Sequence, residues 1–221
     1  MASAPVKVIM GGGSVNQVHS EFTDESKLKQ AFQILKDGGC TRFDTAHLYG
    51  DSETRLGKAR AIDLFTIDTK ARGGFDQAGG ASYDNIIKQG QYDLSWKQDP
   101  LKLTETTAKE SKERLGGNVD VYYIHAPDAN TPLEETLRAI DEVHKSGFFK
   151  RFGLSNYHPS DVEQVYNICK SKGYVLPTVY QGNYRYVQVF LSLPFHCQPR
   201  SRHEDLLLLV LNNLFDATSC R

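Results

Sequence analysis

Four ionisable residues follow short apolar runs in this chain: Asp44 and Tyr49 after CTRF, Lys70 after LFTIDT, and His125 after VYYI. Together they have a definite chemistry. A phenol with an ordinary pKa near 10 exchanges protons poorly at neutral pH. An ammonium placed beside it stabilises the phenolate and lowers that pKa. A carboxylate that pairs with the ammonium keeps it charged and in place, and an imidazole can orient a carbonyl oxygen. Asp44, Tyr49, Lys70 and His125 would then form a tyrosine general acid suited to reducing a carbonyl.

Singly, each residue has a plain structural reading. Lys70 would be a solvated strand terminus, Asp44 a loop cap, Tyr49 a half-buried core aromatic, and His125 a satisfied structural histidine. The set carries the reading: four such residues in order, each at a strand end. A parallel α/β barrel builds its active site in this way, because the C-terminal ends of its strands meet on one face.

The elements that must position them alternate along the chain. Val6 to Met10 is a short apolar run that opens into Gly11, Gly12 and Gly13. Leu28, Ala31, Phe32 and Leu35 recur at helical spacing over 25–36, and Gly38 and Gly39 stop that helix. Strands are expected over 41–44 and 64–69, a helix over 104–115, and a strand over 119–125. That last strand is almost continuously apolar, as when both faces are buried. Thr131, Pro132, Leu133 and Glu134 read as a capping box with proline at the first helical position. The helix it launches bears Leu137, Ile140 and His144. A strand over 151–154 leads to Ser155 and Asn156. Pro159 opens a helix with Val162, Val165 and Cys169 on one face, and 179–182 is the sixth strand. Strands alternating with helices mean βαβ units and a parallel sheet, wound by right-handed crossovers.

The triple glycine lacks the G-x-G-x-x-G spacing of a dinucleotide fingerprint, and no helix starts until about residue 23. It reads as a turn at the barrel mouth where backbone comes close to a ligand. The Gly-, Asp- and Gln-rich stretch 71–98 is long for a connection. It is either a substrate loop or an insertion.

Composition bounds the class. The chain has 221 residues, 39% hydrophobic, enough for one sizeable core. Its formal net charge of −1 gives no sign of a nucleic-acid or anionic-membrane surface. No run approaches the length needed to span a bilayer, and no signal-peptide segment opens the chain. Cys40, Cys169, Cys197 and Cys220 have no metal-like spacing, so no metal site is expected, and reduced thiols in a cytoplasmic protein fit them.

Five strings then resemble the aldo-keto reductase family: FDTAHLYGDSE (43–53), TKA (69–71), VDVYYIHAPD (119–128), FGLSNY (152–157) and VYQGNY (179–184). HAPD and YQGNY look most like its aflatoxin-aldehyde reductase branch. The resemblance covers residues 6–184. It implies a (β/α)8 barrel, NADPH as hydride donor, Asp44, Tyr49, Lys70 and His125 as the catalytic tetrad, and Ser155, Asn156 and Gln181 as hydrogen-bond partners of the nicotinamide carboxamide. It also implies a small-molecule carbonyl substrate and a homodimer as one assembly of the branch. The expected organisation is barrel over 1–184 and a divergent tail over 185–221. Six of eight strands are then matched, and the tail carries no matched motif. The reading is an NADPH-dependent carbonyl reductase. Its alternative is a catalytically impaired form that acts as a binding or regulatory subunit.

Overall fold

A computed structural model describes residues 7–16, 22, 24–71, 100–128 and 131–182. Among these, six strands form one parallel sheet in the order β1 to β6. They are β1 (Met10–Gly11), β2 (Arg42–Asp44), β3 (Thr66–Ala71), β4 (Val119–Ile124), β5 (Phe149–Ser155) and β6 (Pro177–Gln181). Between them run α1 (Glu25–Asp37), α2 (Ser52–Lys58), α3 (Pro100–Leu115), α4 (Leu133–Lys145) and α5 (Pro159–Lys172). Every neighbouring pair is parallel. This is a partial (β/α)8 barrel, not closed among the described residues. The expected loop over 71–98 and the tail over 185–221 lie outside the described residues, save Ala71 at the end of β3.

Local chemistry explains the elements. Asp24 caps α1 by accepting from the Ser26 amide at 2.7 Å. Leu28 and Phe32 form the buried stripe of that helix. Phe32, Phe43 and Phe65 meet edge to face at centroid distances of 5.1–5.5 Å, which fastens α1 to β2 and to the approach to β3. Pro159 stands in the first turn of α5, and Gly173, at φ +70°, terminates it in the left-handed region.

Two sequence expectations need correction, and one element was missed. The first strand is confined to Met10–Gly11, so residues 7–9 precede the ladder. Thr131 does not cap α4: its hydroxyl donates back to Asp128 Oδ2 at 2.6 Å, and Pro132 holds the N-cap position. The helix α2, between β2 and β3, was not anticipated.

Side chains alternate across the strands, and the register sets what faces the barrel interior. Asp44 is aligned with Asp68, Lys70 with Tyr123, and Ser155 with Gln181. Ile9, Val121, Tyr123 and Val179 form a small apolar cluster there, apart from the larger core between sheet and helices. Gly153 is required on β5, because a Cβ at that position would collide with the Tyr123 ring.

Candidate active site

Six of the seven expected site residues fall at or next to the C-terminal end of a strand. Asp44 ends β2, Lys70 is one residue from the end of β3, and His125 follows β4. Ser155 ends β5, Asn156 follows it, and Gln181 ends β6. The loop after β2 carries Tyr49. A parallel sheet brings these ends to one edge, so residues far apart in sequence share one mouth.

The centre is a buried ion pair. Lys70 and Asp44 are both fully buried, with Lys70 Nζ 2.7 Å from Oδ1 and 2.6 Å from Oδ2. Nζ also donates to the Thr45 carbonyl at 2.8 Å. Three bonds match the three donors of an ammonium, so the charge is held at a fixed point. Burial opposes that charge, but Asp44 and then Tyr49 outweigh it, and the ammonium sits above its ordinary pKa.

Tyr49 is half-buried, its ring centre 5.1 Å from Lys70 Nζ. The His125 ring stands edge-on to it, centroids 5.5 Å apart at 77°. Burial, reinforced by the Lys70 charge, holds the imidazole well below its usual pKa. His125 is therefore neutral at physiological pH, and a neutral imidazole carries one N–H donor. The structure thus brings all four residues together.

The other three expected residues lie along β5 and β6. Asn156 adopts the left-handed region at φ +59°, which asparagine tolerates better than most residues. Its Nδ2 donates to the His125 carbonyl at 2.9 Å and lies 3.2 Å from Ser155 Oγ. Its backbone amide reaches the Gln181 carbonyl at 3.3 Å. Gln181 is buried, and its Nε2 has no hydrogen-bond partner among the described residues. A buried amide left unpaired is costly, and a carboxamide oxygen of a ligand would satisfy it. The unpaired Gln181 Nε2, beside Ser155 and Asn156, therefore fits the oxygen of a nicotinamide carboxamide.

Sequence reading missed several supporting residues. Ser52 and Glu53, the first two residues of α2, are buried beside the tetrad, although both stand inside the FDTAHLYGDSE string. Deeper in the barrel lies a second charged layer. Arg42 bonds Asp68 at 2.7 Å and Asp120 at 2.6 Å, and Arg151 reaches the same Asp120 oxygen. Burial, partly offset by Arg42, pushes the Asp68 carboxyl up to about 6. The signal for Asp68 was its period-2 spacing from Lys70. Within the triple glycine, Gly12 lets chain approach chain: a Cβ there would lie 2.9 Å from the Asp44 carbonyl oxygen.

Among the described residues, no cluster of His, Cys, Asp and Glu is arranged to hold a metal. No described helix is long and apolar enough to cross a membrane.

The partial parallel barrel thus carries a buried Asp–Lys pair beside a tyrosine and a histidine at its strand ends. The model of the aldo/keto reductase family matches residues 7–205, and the chain belongs to that family. Similar proteins include the oxidoreductase sirO of Leptosphaeria maculans, 36% identical over 71% of this chain and 42% of that protein. Aldo-keto reductase family 7 member A3 of Homo sapiens is 39% identical over 66% of this chain and 40% of its own length. Aflatoxin B1 aldehyde reductase member 2 of Rattus norvegicus is 35% identical over 73% and 41% respectively. The chain spans about two-fifths of the length of these relatives.

Proposed function

We propose that this chain reduces an aldehyde or ketone to the alcohol with NADPH, using Tyr49 as the general acid. The observation that carries the reading is the fully buried Lys70–Asp44 pair placed 5.1 Å from the centre of the half-buried Tyr49 ring. When bound, the reduced nicotinamide supplies a hydride to the carbonyl carbon. Tyr49 gives its phenolic proton to the carbonyl oxygen as the C=O π bond breaks. The fixed Lys70 charge offsets the negative charge left on Tyr49, without donating a proton itself. Neutral His125 directs the substrate oxygen through an N–H. Ser155, Asn156 and Gln181 would hold the carboxamide.

NADPH as the donor, a cytoplasmic location and a homodimer belong to the same reading and are supported by the family alone. The test is a thermal melt of the purified chain with and without NADPH, followed by turnover of an aryl aldehyde. A ligand that binds only the folded state raises the midpoint. The expected result is an upward shift and loss of NADPH absorbance with aldehyde. No shift and no turnover would sink it.

A second reading, an impaired form that serves as a binding or regulatory subunit, has one observation in its favour. Among the described residues, β1 and β6 are the two ends of an open sheet. A shift with NADPH but no turnover of any carbonyl would favour it.

A further inference from the structure

Tyr49 sits on a loop, yet its ring has to keep a fixed relation to Lys70. Backbone bonds first extend β2 along β3: the Thr45 amide donates to the Asp68 carbonyl at 2.9 Å and His47 to that of Lys70 at 3.3 Å. The chain then turns, with the Tyr49 amide on the Ala46 carbonyl and the Ser52 amide on that of Tyr49.

Two buried side-chain clips close this turn. Ser52 Oγ donates to the Gly12 carbonyl at 2.8 Å. Its single proton is thereby committed, so the 2.8 Å contact between Thr45 Oγ1 and Ser52 Oγ has Thr45 as donor. Thr45 and Ser52 thus join the two ends of the loop. They also fix the glycine turn on which the Tyr49 ring rests, 3.7 Å from the position of a Gly13 Cβ. In the second clip, Thr69 Oγ1 donates to Glu53 Oε1 at 2.6 Å, tying the start of α2 to the residue before Lys70.

We propose that Ser52 and Glu53 are positioning residues that hold Tyr49 in register with the Lys70 charge; this rests on the tetrad reading above. A misplacement of about 1 Å costs roughly 10²-fold in rate, so loosening either clip has a large effect on kcat and a small one on cofactor affinity.

The test uses the full chain with Ser52→Ala, Thr69→Val, Thr69→Ser and, as control, Ser171→Ala on the exposed face of α5. Two readouts are taken: kcat against NADPH affinity by fluorescence titration, and backbone hydrogen exchange over 45–51. Expected are a kcat loss of about tenfold or more in Ser52→Ala and Thr69→Val, NADPH affinity within about twofold, rescue by Thr69→Ser, and faster exchange over 45–51 alone. Unchanged kcat and unchanged exchange in both variants would overturn the proposal. Thr69→Val, close to isosteric, decides the matter if Ser52→Ala fails to fold. If the wild-type chain turns over no carbonyl, the reductase reading fails by itself, and exchange over 45–51 still decides whether the clips hold the loop.

Discussion

Lys70 and Tyr123 are register partners on β3 and β4, and the lysine Nζ stands 5.6 Å from the centre of that ring. A second tyrosine is therefore almost as close to the ammonium as Tyr49. Burial separates them. Tyr123 is fully buried, its phenol is pushed far above the usual range by desolvation, and its hydroxyl has no hydrogen-bond partner among the described residues. Tyr49 alone of the pair is half-open to solvent.

The two phenols should accordingly differ under the same substitution. Tyr49→Phe is expected to lower kcat by about 10² or more with NADPH affinity nearly intact. Tyr123→Phe removes an unpaired buried hydroxyl and should be neutral or mildly stabilising, with kcat little changed. Steady-state kinetics and melts of both variants check this. Equal losses would refute the assignment of Tyr49.

Breaking the central ion pair should cost more than removing it whole. Lys70→Met strands the Asp44 carboxylate in a fully buried site, and such uncompensated charges cost about 3–5 kcal/mol. Lys70→Met combined with Asp44→Leu removes both charges and should recover a large part of that stability. Urea unfolding of the single and double variants measures the difference. A double variant no more stable than Lys70→Met alone would count against the ion-pair account.

Two buried groups give opposite pH slopes. The folded-state pKa of His125 is depressed, so between that value and 6.5 the unfolded chain binds more protons, and stability falls as pH drops below about 6.5. Asp68 is raised from 3.8 to about 6, so the folded chain binds more protons in that window, and stability falls as pH rises through it. Chemical unfolding from pH 4 to 7 should show His125→Asn relieving the acid loss. Asp68→Asn should gain most relative to wild type at pH 7. Parallel curves for all three proteins would contradict both assignments.

Gly153→Ala places a methyl group where the Tyr123 ring lies. Overpacking of this kind costs about 1–3 kcal/mol. Adding Tyr123→Leu should return part of the loss, which a double-mutant cycle in thermal melts would read. Additivity of the two changes would show that the ring and the glycine do not compete for the space.

The strand ends were legible because each βα unit punctuates an apolar run with one polar residue. That signal found Asp44, Lys70 and His125, Tyr49 followed from the loop after Asp44, and the structure brings the four together. Helix α2 escaped because it spans only Ser52–Lys58, contains Gly57 and offers Leu56 as its one large apolar residue. The capping box failed because a threonine hydroxyl has local alternatives, and Asp128 lay within reach. The Arg42, Asp68, Asp120 and Arg151 layer was invisible because charged residues on short strands look solvated until the register turns them inward. Ser52 and Glu53 were present in a quoted string, but their role depends on Gly12 and Thr69, which only the fold brings near.

Strand order in the sheet is also strand order in the sequence. Each ladder closes across a single crossover, so the loop-closure entropy of one unit is met before the next is needed. The Asp44–Lys70 pair spans only the β2–β3 crossover, whereas Ser155, Asn156 and Gln181 wait for β5 and β6. During synthesis the Asp44–Lys70 pair can therefore assemble first, with Ser155, Asn156 and Gln181 docking onto a pair already formed.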